Sequence, residues 1–171
     1  MKTKDIAMVA LMTVMICLCS WINIALFSVV PFTMQTFAIY CTLLLLGGKR
    51  GSIAMFLYIF MGAAGLPVFS GFNAGFGALL GPTGGFILGF MLCPLLYWLL
   101  EKHVNHILLL VLGTLICYAV GTMWFVRVYS AGGSPVSVGA ALMSCVVPFI
   151  APDGAKLALA AVISRRIGRH I

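Results

Sequence analysis

Two residues in this sequence combine the types and spacing needed for ionic chemistry in an apolar setting. They are Asp153 and Lys156, three positions apart in the stretch P-F-I-A-P-D-G-A-K at 148–156. On a helix that spacing puts both side chains on one face, where a carboxylate and an ammonium can pair. An ionisable group inside a bilayer costs several kcal/mol or more, so by default it marks a functional position with a partner to be named. Asn73 is the strong hydrogen-bonding side chain of a second stretch, 62–89, which holds nine Gly and two Pro and no charge. Such a composition lets backbone approach a ligand closely. Gln35 and Tyr58 supply further polar groups on neighbouring apolar segments, where interhelical hydrogen bonding is the simplest use for them.

Other chemistries lack their residues. Asp5, Glu101 and Asp153 are the only carboxylates, and the first two stand beside Lys4 and Lys102 at the ends of apolar runs, so no carboxylate pair is available for acid/base work. The sequence has no G-x-S-x-G and no H-E-x-x-H, and Gly47-Gly48-Lys49-Arg50 lacks the earlier Gly and the following Ser or Thr of a phosphate-binding loop. No enzymatic activity and no ATP hydrolysis are therefore expected of this chain. His103 and His106 have helical-turn spacing but read as part of a solvated loop beside Lys102. The six cysteines, at 17, 19, 41, 93, 117 and 145, form no C-x-x-C pair and all lie in apolar stretches, so they read as small bilayer-compatible side chains. Neither a metal nor a cofactor is expected.

The elements that must carry these residues follow from composition. Of 171 residues 63% are hydrophobic and 8% are charged, with a mean hydropathy of +1.19, against about 25% charged in soluble domains. A soluble globular protein is excluded. At about 20 apolar residues per span, the uncharged runs 6–48 and 51–100 each hold two spans, a fifth follows His106, and the last lies in 128–164. The expected fold is thus all-α, a polytopic membrane protein of six transmembrane helices forming a single domain over 1–171. Pro31, Gly47, Gly48, the 62–85 run, Gly132, Gly133 and Pro135 punctuate it.

On this scheme Lys2, Lys4, Lys49, Arg50, Lys102, Arg165, Arg166 and Arg169 all fall on one side. The loops near 28–33, 65–84 and 130–137 on the other side contain no Lys or Arg. Short cytoplasmic loops are enriched in Lys and Arg, so both termini are expected in the cytoplasm. Topology accounts for the net charge of +7, and nucleic acid is not an expected partner, because the basic residues form small juxtamembrane groups with no long stripe. The apolar run 6–30 exceeds a signal-peptide core and is read as a retained first helix. Residues 66–83 are read as an irregular outer loop. Pro148 and Pro152 place the start of the last helix near 152, with Asp153 at its positive N-terminal end. Counting from Arg165, Asp153 lies about 18 Å deep, slightly past the midplane of a core of about 30 Å. Arg127, Asp153 and Lys156 sum to +1 in the outer half, although Arg127 itself reads as a snorkelling interfacial side chain.

These stretches carry a resemblance. V-P-F-T-M-Q-T-F at 30–37, G-K-R-G at 48–51, Y-I-F-M-G-A-A-G-L-P-V-F-S-G at 58–71, L-G-P-T-G-G-F at 80–86 and P-F-I-A-P-D-G-A-K at 148–156 are similar to the BioY family, the biotin-specific S components of energy-coupling-factor (ECF) transporters. The resemblance implies a six-helix protein of the cell membrane with a biotin pocket near the outer face. It also implies a transmembrane coupling protein (T component) and two ATPase subunits as partners. By motif position Asn73, Asp153 and Lys156 take the polar ligand contacts, and Gln35 and Tyr58 match motif positions too. Ala151-Pro152 stands where the family usually has Pro-Gly. The first helix also departs from the Ala-x-x-x-Ala docking pattern the family tends to show: Ala7 and Ala10 are three apart, and Leu11 and Val14 occupy the four-apart positions, so Ala7 and Ala10 are the small residues of the docking face that the resemblance implies. Two other readings are a stand-alone channel or facilitator and an S component for another vitamin. A channel wants a continuous polar stripe, and the apolar inner stretches 43–46 and 95–100 do not supply one.

Overall fold

A computed structural model of the chain describes residues 2–24 and 30–168. Part of the loop near 28–33 and Arg169 lie outside the described residues. Four helical stretches are long and apolar enough to cross a membrane, namely Thr3–Trp21, Gln35–Ala63, His106–Ala131 and Val138–Ile167, and a shorter apolar helix covers Gly84–Leu100. The chain is a helical multi-pass membrane protein. Its helices are apolar all round, with one side facing the bundle and the other facing outward.

Helix α1 (Thr3–Trp21) buries Val9, Met12, Thr13, Ile16, Cys17 and Ser20, one stripe at helical spacing, and leaves Ile6, Leu11, Val14 and Leu18 exposed on the other side. It ends well before residue 30. Hydropathy reports an apolar environment and not a backbone conformation, and beyond Trp21 the chain becomes extended. β1 (Asn23–Ile24) pairs antiparallel with β2 (Phe32–Thr33), in the register Asn23 with Thr33 and Ile24 with Phe32. This short ladder is a departure from the all-helical expectation.

α2 (Gln35–Ala63) is broken at Gly47, whose φ of 76° and ψ of 173° are open to glycine. The chain folds back there: Gly51 sits against the Leu43 side chain. The backbone N–H of Gly48, newly orphaned at the start of the second half, donates to Glu101 Oε2 at 2.7 Å. An acceptor carrying negative charge suits that helix start. Asp5 is likewise used structurally, in an ion pair with Arg50 at 3.0 Å.

Residues 66–83 are more ordered than expected. A 3-10 turn at Ser70–Phe72 is followed by α3 (Gly75–Leu80). Glycine at 75, with φ +77°, and glycine at 81 delimit the six-residue helix, so the same Gly content that suggested irregularity serves as punctuation.

α4 (Gly84–Leu100) and α5 (His106–Ala131) meet through small residues. A Cβ added at Gly85 would stand 2.2 Å from Trp124 Cβ, at Gly89 2.9 Å from Cys117 Cα, and at Gly113 2.4 Å from Cys93 Sγ. Gly85, Gly89 and Cys93 on α4 and Gly113, Cys117 and Gly121 on α5 recur every four residues. Apolar lipid gives helices no hydrophobic reason to associate, so close backbone approach through small side chains takes its place. At the start of α5, the Asn105 side chain accepts from Ile107 N–H at 2.9 Å. His106 Nδ1 lies 2.8 Å from Tyr97 OH.

α6 (Val138–Cys145) leads into α7 (Val147–Ile167), so the last helix starts five residues earlier than its two prolines suggested. Pro148 falls in the first turn, where its missing N–H has no intrahelical partner in any case. Pro152 forfeits one bond inside the helix, a loss that membrane helices tolerate. Asp153 therefore lies in the second turn and not at the positive end. Phe149, Asp153, Lys156, Ala160 and Ser164 form the buried stripe of α7, which aims the ionic pair inward.

Close α4–α5 contact makes Gly113→Leu costly, by about 1–3 kcal/mol for overpacking. Gly154, with open space around it, should gain about 0.5–1 kcal/mol on changing to Ala. Thermal unfolding of both variants in one detergent would check the opposite signs.

Candidate functional site

The strand β2, both halves of α2, the 69–73 segment, the α3–α4 corner, α5, α6 and α7 enclose a cavity of about 460 Å³, within the range of small-molecule sites. Gln35, Tyr58, Asn73, Asp153 and Lys156, far apart in sequence, all line it. Ala7 and Ala10 do not; they lie on the exposed side of α1.

Asp153 and Lys156 are each only 5% exposed. Lys156 Nζ is 2.7 Å from Asp153 Oδ1. It also donates to the Thr33 carbonyl at 2.7 Å and to Thr36 Oγ1 at 3.1 Å. An ammonium has three N–H donors, so all are engaged, and the Phe32 ring centroid lies 4.0 Å away as a further cation partner. Asp153 Oδ1 additionally accepts from Thr36 Oγ1 at 3.0 Å, and its Oδ2 from Tyr118 OH at 2.5 Å. A carboxylate offers about four acceptor positions, which leaves one. The pair is thus neutral as a unit and nearly saturated by the protein itself.

Arg127 is exposed and contributes nothing to the cavity lining. The charge sum of +1 read from sequence is corrected to zero, because only Asp153 and Lys156 of the three face the cavity.

Gln35 and Tyr58 are in a different condition. Gln35 is 3% exposed and Tyr58 fully buried. Gln35 Nε2 and Tyr58 OH, both shielded by surrounding atoms, complete no hydrogen bond of good geometry. Buried polar groups are almost always satisfied, and two deficient ones on one cavity are where a polar ligand gains most. Asn73, at the exposed rim, uses one amide N–H on the Ser70 carbonyl at 2.7 Å. The walls between these groups are apolar: Phe69, Phe86, Ile87 and Phe90.

Sequence reasoning missed Thr33, Thr36, Tyr118 and Phe32. Thr36 was within reach, being the neighbour of Gln35 in an uncharged run where any buried charge must find hydroxyl or carbonyl partners. Tyr118 had no such flag, because an aromatic residue in an apolar helix reads as filling until the partner of its hydroxyl is known.

Removing Asp153 alone strands a buried ammonium, so Asp153→Ala should destabilise the fold by about 3–5 kcal/mol. The double change Asp153→Leu with Lys156→Met should recover most of it, since no charge then remains. Comparing the two unfolding midpoints checks this; a double variant no better than the single one would contradict it.

The comparisons with known proteins agree with this geometry. The model of the BioY family matches residues 1–171. A Pyrococcus horikoshii protein named "Probable biotin transporter BioY" is 35% identical over 98% of this chain and 98% of its own length. The Thermotoga maritima protein named "Biotin transporter BioY" is 34% identical over 96% of this chain and 95% of its own. Among solved structures, the S-component for biotin from an ECF-type ABC transporter superposes with a TM-score of 0.84 at 29% identity, covering 98% of this chain and 92% of that one. Agreement of this extent, in sequence along the whole chain and in fold, places the chain in the BioY family.

Proposed function

We propose that the cavity is a biotin site and that the chain is the substrate-specific membrane subunit of an ATP-driven ECF uptake system. The observation that carries this reading is a cavity with polar groups at separate places and aromatic walls between them, in a chain whose fold matches an S-component for biotin. Biotin has the complementary layout: a ureido ring, an apolar bicycle and chain, and a carboxylate. Asn73, Asp153, Lys156, Gln35 and Tyr58 are the proposed contacts. Because Asp153 and Lys156 nearly satisfy each other, the ligand must use the last acceptor position of Asp153 or replace one of the bonds of Lys156. Gln35 Nε2 and Tyr58 OH lack hydrogen-bond partners, so a ligand that reaches them displaces no existing bond.

The chain forms one domain over 1–171 with six spans, α2 contributing two through its reversal at Gly47. The termini are cytoplasmic and the cavity opens to the extracellular side, in keeping with the eight Lys and Arg assigned to the opposite face. No nucleotide-binding motif is present in the sequence, so the energy for uptake comes from a T component and two ATPase subunits.

Titration of purified variants with biotin tests the site. Losing a buried, hydrogen-bonded charge costs about 2–5 kcal/mol, so Asp153→Asn and Lys156→Ala should each weaken binding at least about 30-fold. Asn73→Ala should cost about tenfold, and Arg127→Ala should change little. Near-normal affinity in both Asp153→Asn and Lys156→Ala would place the site elsewhere.

The exposed side of α1, where Ala7 and Ala10 lie beside Leu11 and Val14, is the proposed docking face for the T component, since small residues permit close helix approach. Trp at position 7 or 10 should lower uptake by cells while leaving biotin binding by the isolated protein intact. Lost binding would instead assign this face to the pocket.

A further inference from the structure

The segment 67–73 covers one side of the cavity, and what holds it there lies outside the cavity. Phe69, Ser70, Gly71 and Asn73 line the interior, whereas Trp21, Pro67 and Phe72 do not. Trp21, the last residue of α1, donates its indole N–H to the Pro67 carbonyl at 2.8 Å. Its ring stacks on Phe72, with centroids 5.0 Å apart and planes 28° from parallel. Phe72 itself has a φ of 60°, a left-handed conformation that a bulky residue adopts only when its surroundings enforce it. The preceding Gly71 has φ 69°. Two consecutive left-handed residues reverse the direction of the chain, so that the Phe72 ring is 62% exposed outside the cavity while Asn73, itself exposed, stands at the cavity rim. The Phe69 N–H then donates to the Asn73 carbonyl at 3.1 Å, which closes the loop.

From these contacts we infer that Trp21 is a positioning residue of the ligand site: by gripping Phe72 and Pro67 from outside, it sustains the strained turn that holds Asn73 over the cavity and so slows escape of the bound ligand. This rests on the biotin reading for its ligand, and on the contacts alone for the grip. Neighbouring bonds, from Ser20 Oγ to the Val68 carbonyl at 2.5 Å and from Asn23 Nδ2 to Ser70 Oγ at 3.2 Å, tie the same segment to the same end of α1. Because an external stack and an indole bond are separate from the cavity lining, their loss acts on release more than on encounter.

Dissociation of labelled biotin from the purified protein decides the matter. Trp21→Ala should speed dissociation about tenfold with little change in association, and Trp21→Phe, which keeps the stack, should restore most of the difference. In an Asn73→Ala background the effect of Trp21→Ala should shrink to less than twofold, because the residue it positions is gone. Phe72→Gly removes the ring and also relaxes the left-handed backbone, so it should speed dissociation without lowering the unfolding midpoint; a merely structural role would move the two together. Multiplicative effects of Trp21→Ala and Asn73→Ala, or unchanged dissociation in Trp21→Ala and Phe72→Gly alike, would overturn the inference. Wild-type protein that binds no biotin would overturn the ligand reading instead. Faster hydrogen exchange of amides 68–73 in Trp21→Ala would still support the grip, and unchanged exchange would refute it.

Discussion

The architecture depends on one requirement: an aspartate and a lysine sit in the membrane-spanning part of the chain and must be neutralised there by each other. Each group is only 5% exposed, and leaving either charge unpaired there would cost about 3–5 kcal/mol, a large share of the marginal stability of a fold. The three-residue spacing on α7 provides the pair, but a pair alone leaves donors and acceptors over. Thr36 from α2, the Thr33 carbonyl from β2 and Tyr118 from α5 take these up. Three elements are thereby fixed around α7, and the cavity is the space left between them.

The rest of the packing follows a different logic. Apolar residues cover the outside of the bundle as fully as the inside, so burial of greasy surface does not tell helices which faces to join. The glycine and cysteine rows of α4 and α5 do so by shape, and Gly48 does the same where it is pressed against the Trp98 backbone. Shape-determined contacts of this kind are unforgiving of added volume.

How much of this could be read in the sequence depended on whether the signal was chemical or conformational. A lone Asp and Lys three apart in an uncharged stretch were conspicuous, and all five expected site residues line one cavity. The reversal at Gly47 was legible because glycine punctuates the chain. Conformation within apolar stretches was not: hydropathy is the same for the end of α1 and for the extended segment after it, so the stop at Trp21 could not be seen. Proline misled at 152, since a membrane helix accommodates a ring that a soluble helix would avoid. Arg127, read as a snorkelling side chain about twenty residues after His106, is exposed and stands apart from the cavity, in line with that reading.

The internal cancellation of Asp153 by Lys156 has an electrical consequence. A unit charge moved through a transmembrane potential exchanges about 2.3 kcal/mol with the field for every 100 mV. The empty site, carrying a dipole and no net charge, exchanges almost nothing when it shifts along the membrane normal. A bound monoanion changes that to a charge of −1, so the loaded and empty proteins respond differently to the same voltage. With the interior of a cell negative, the field would oppose inward movement of a site loaded with such an anion and would act little on an empty one.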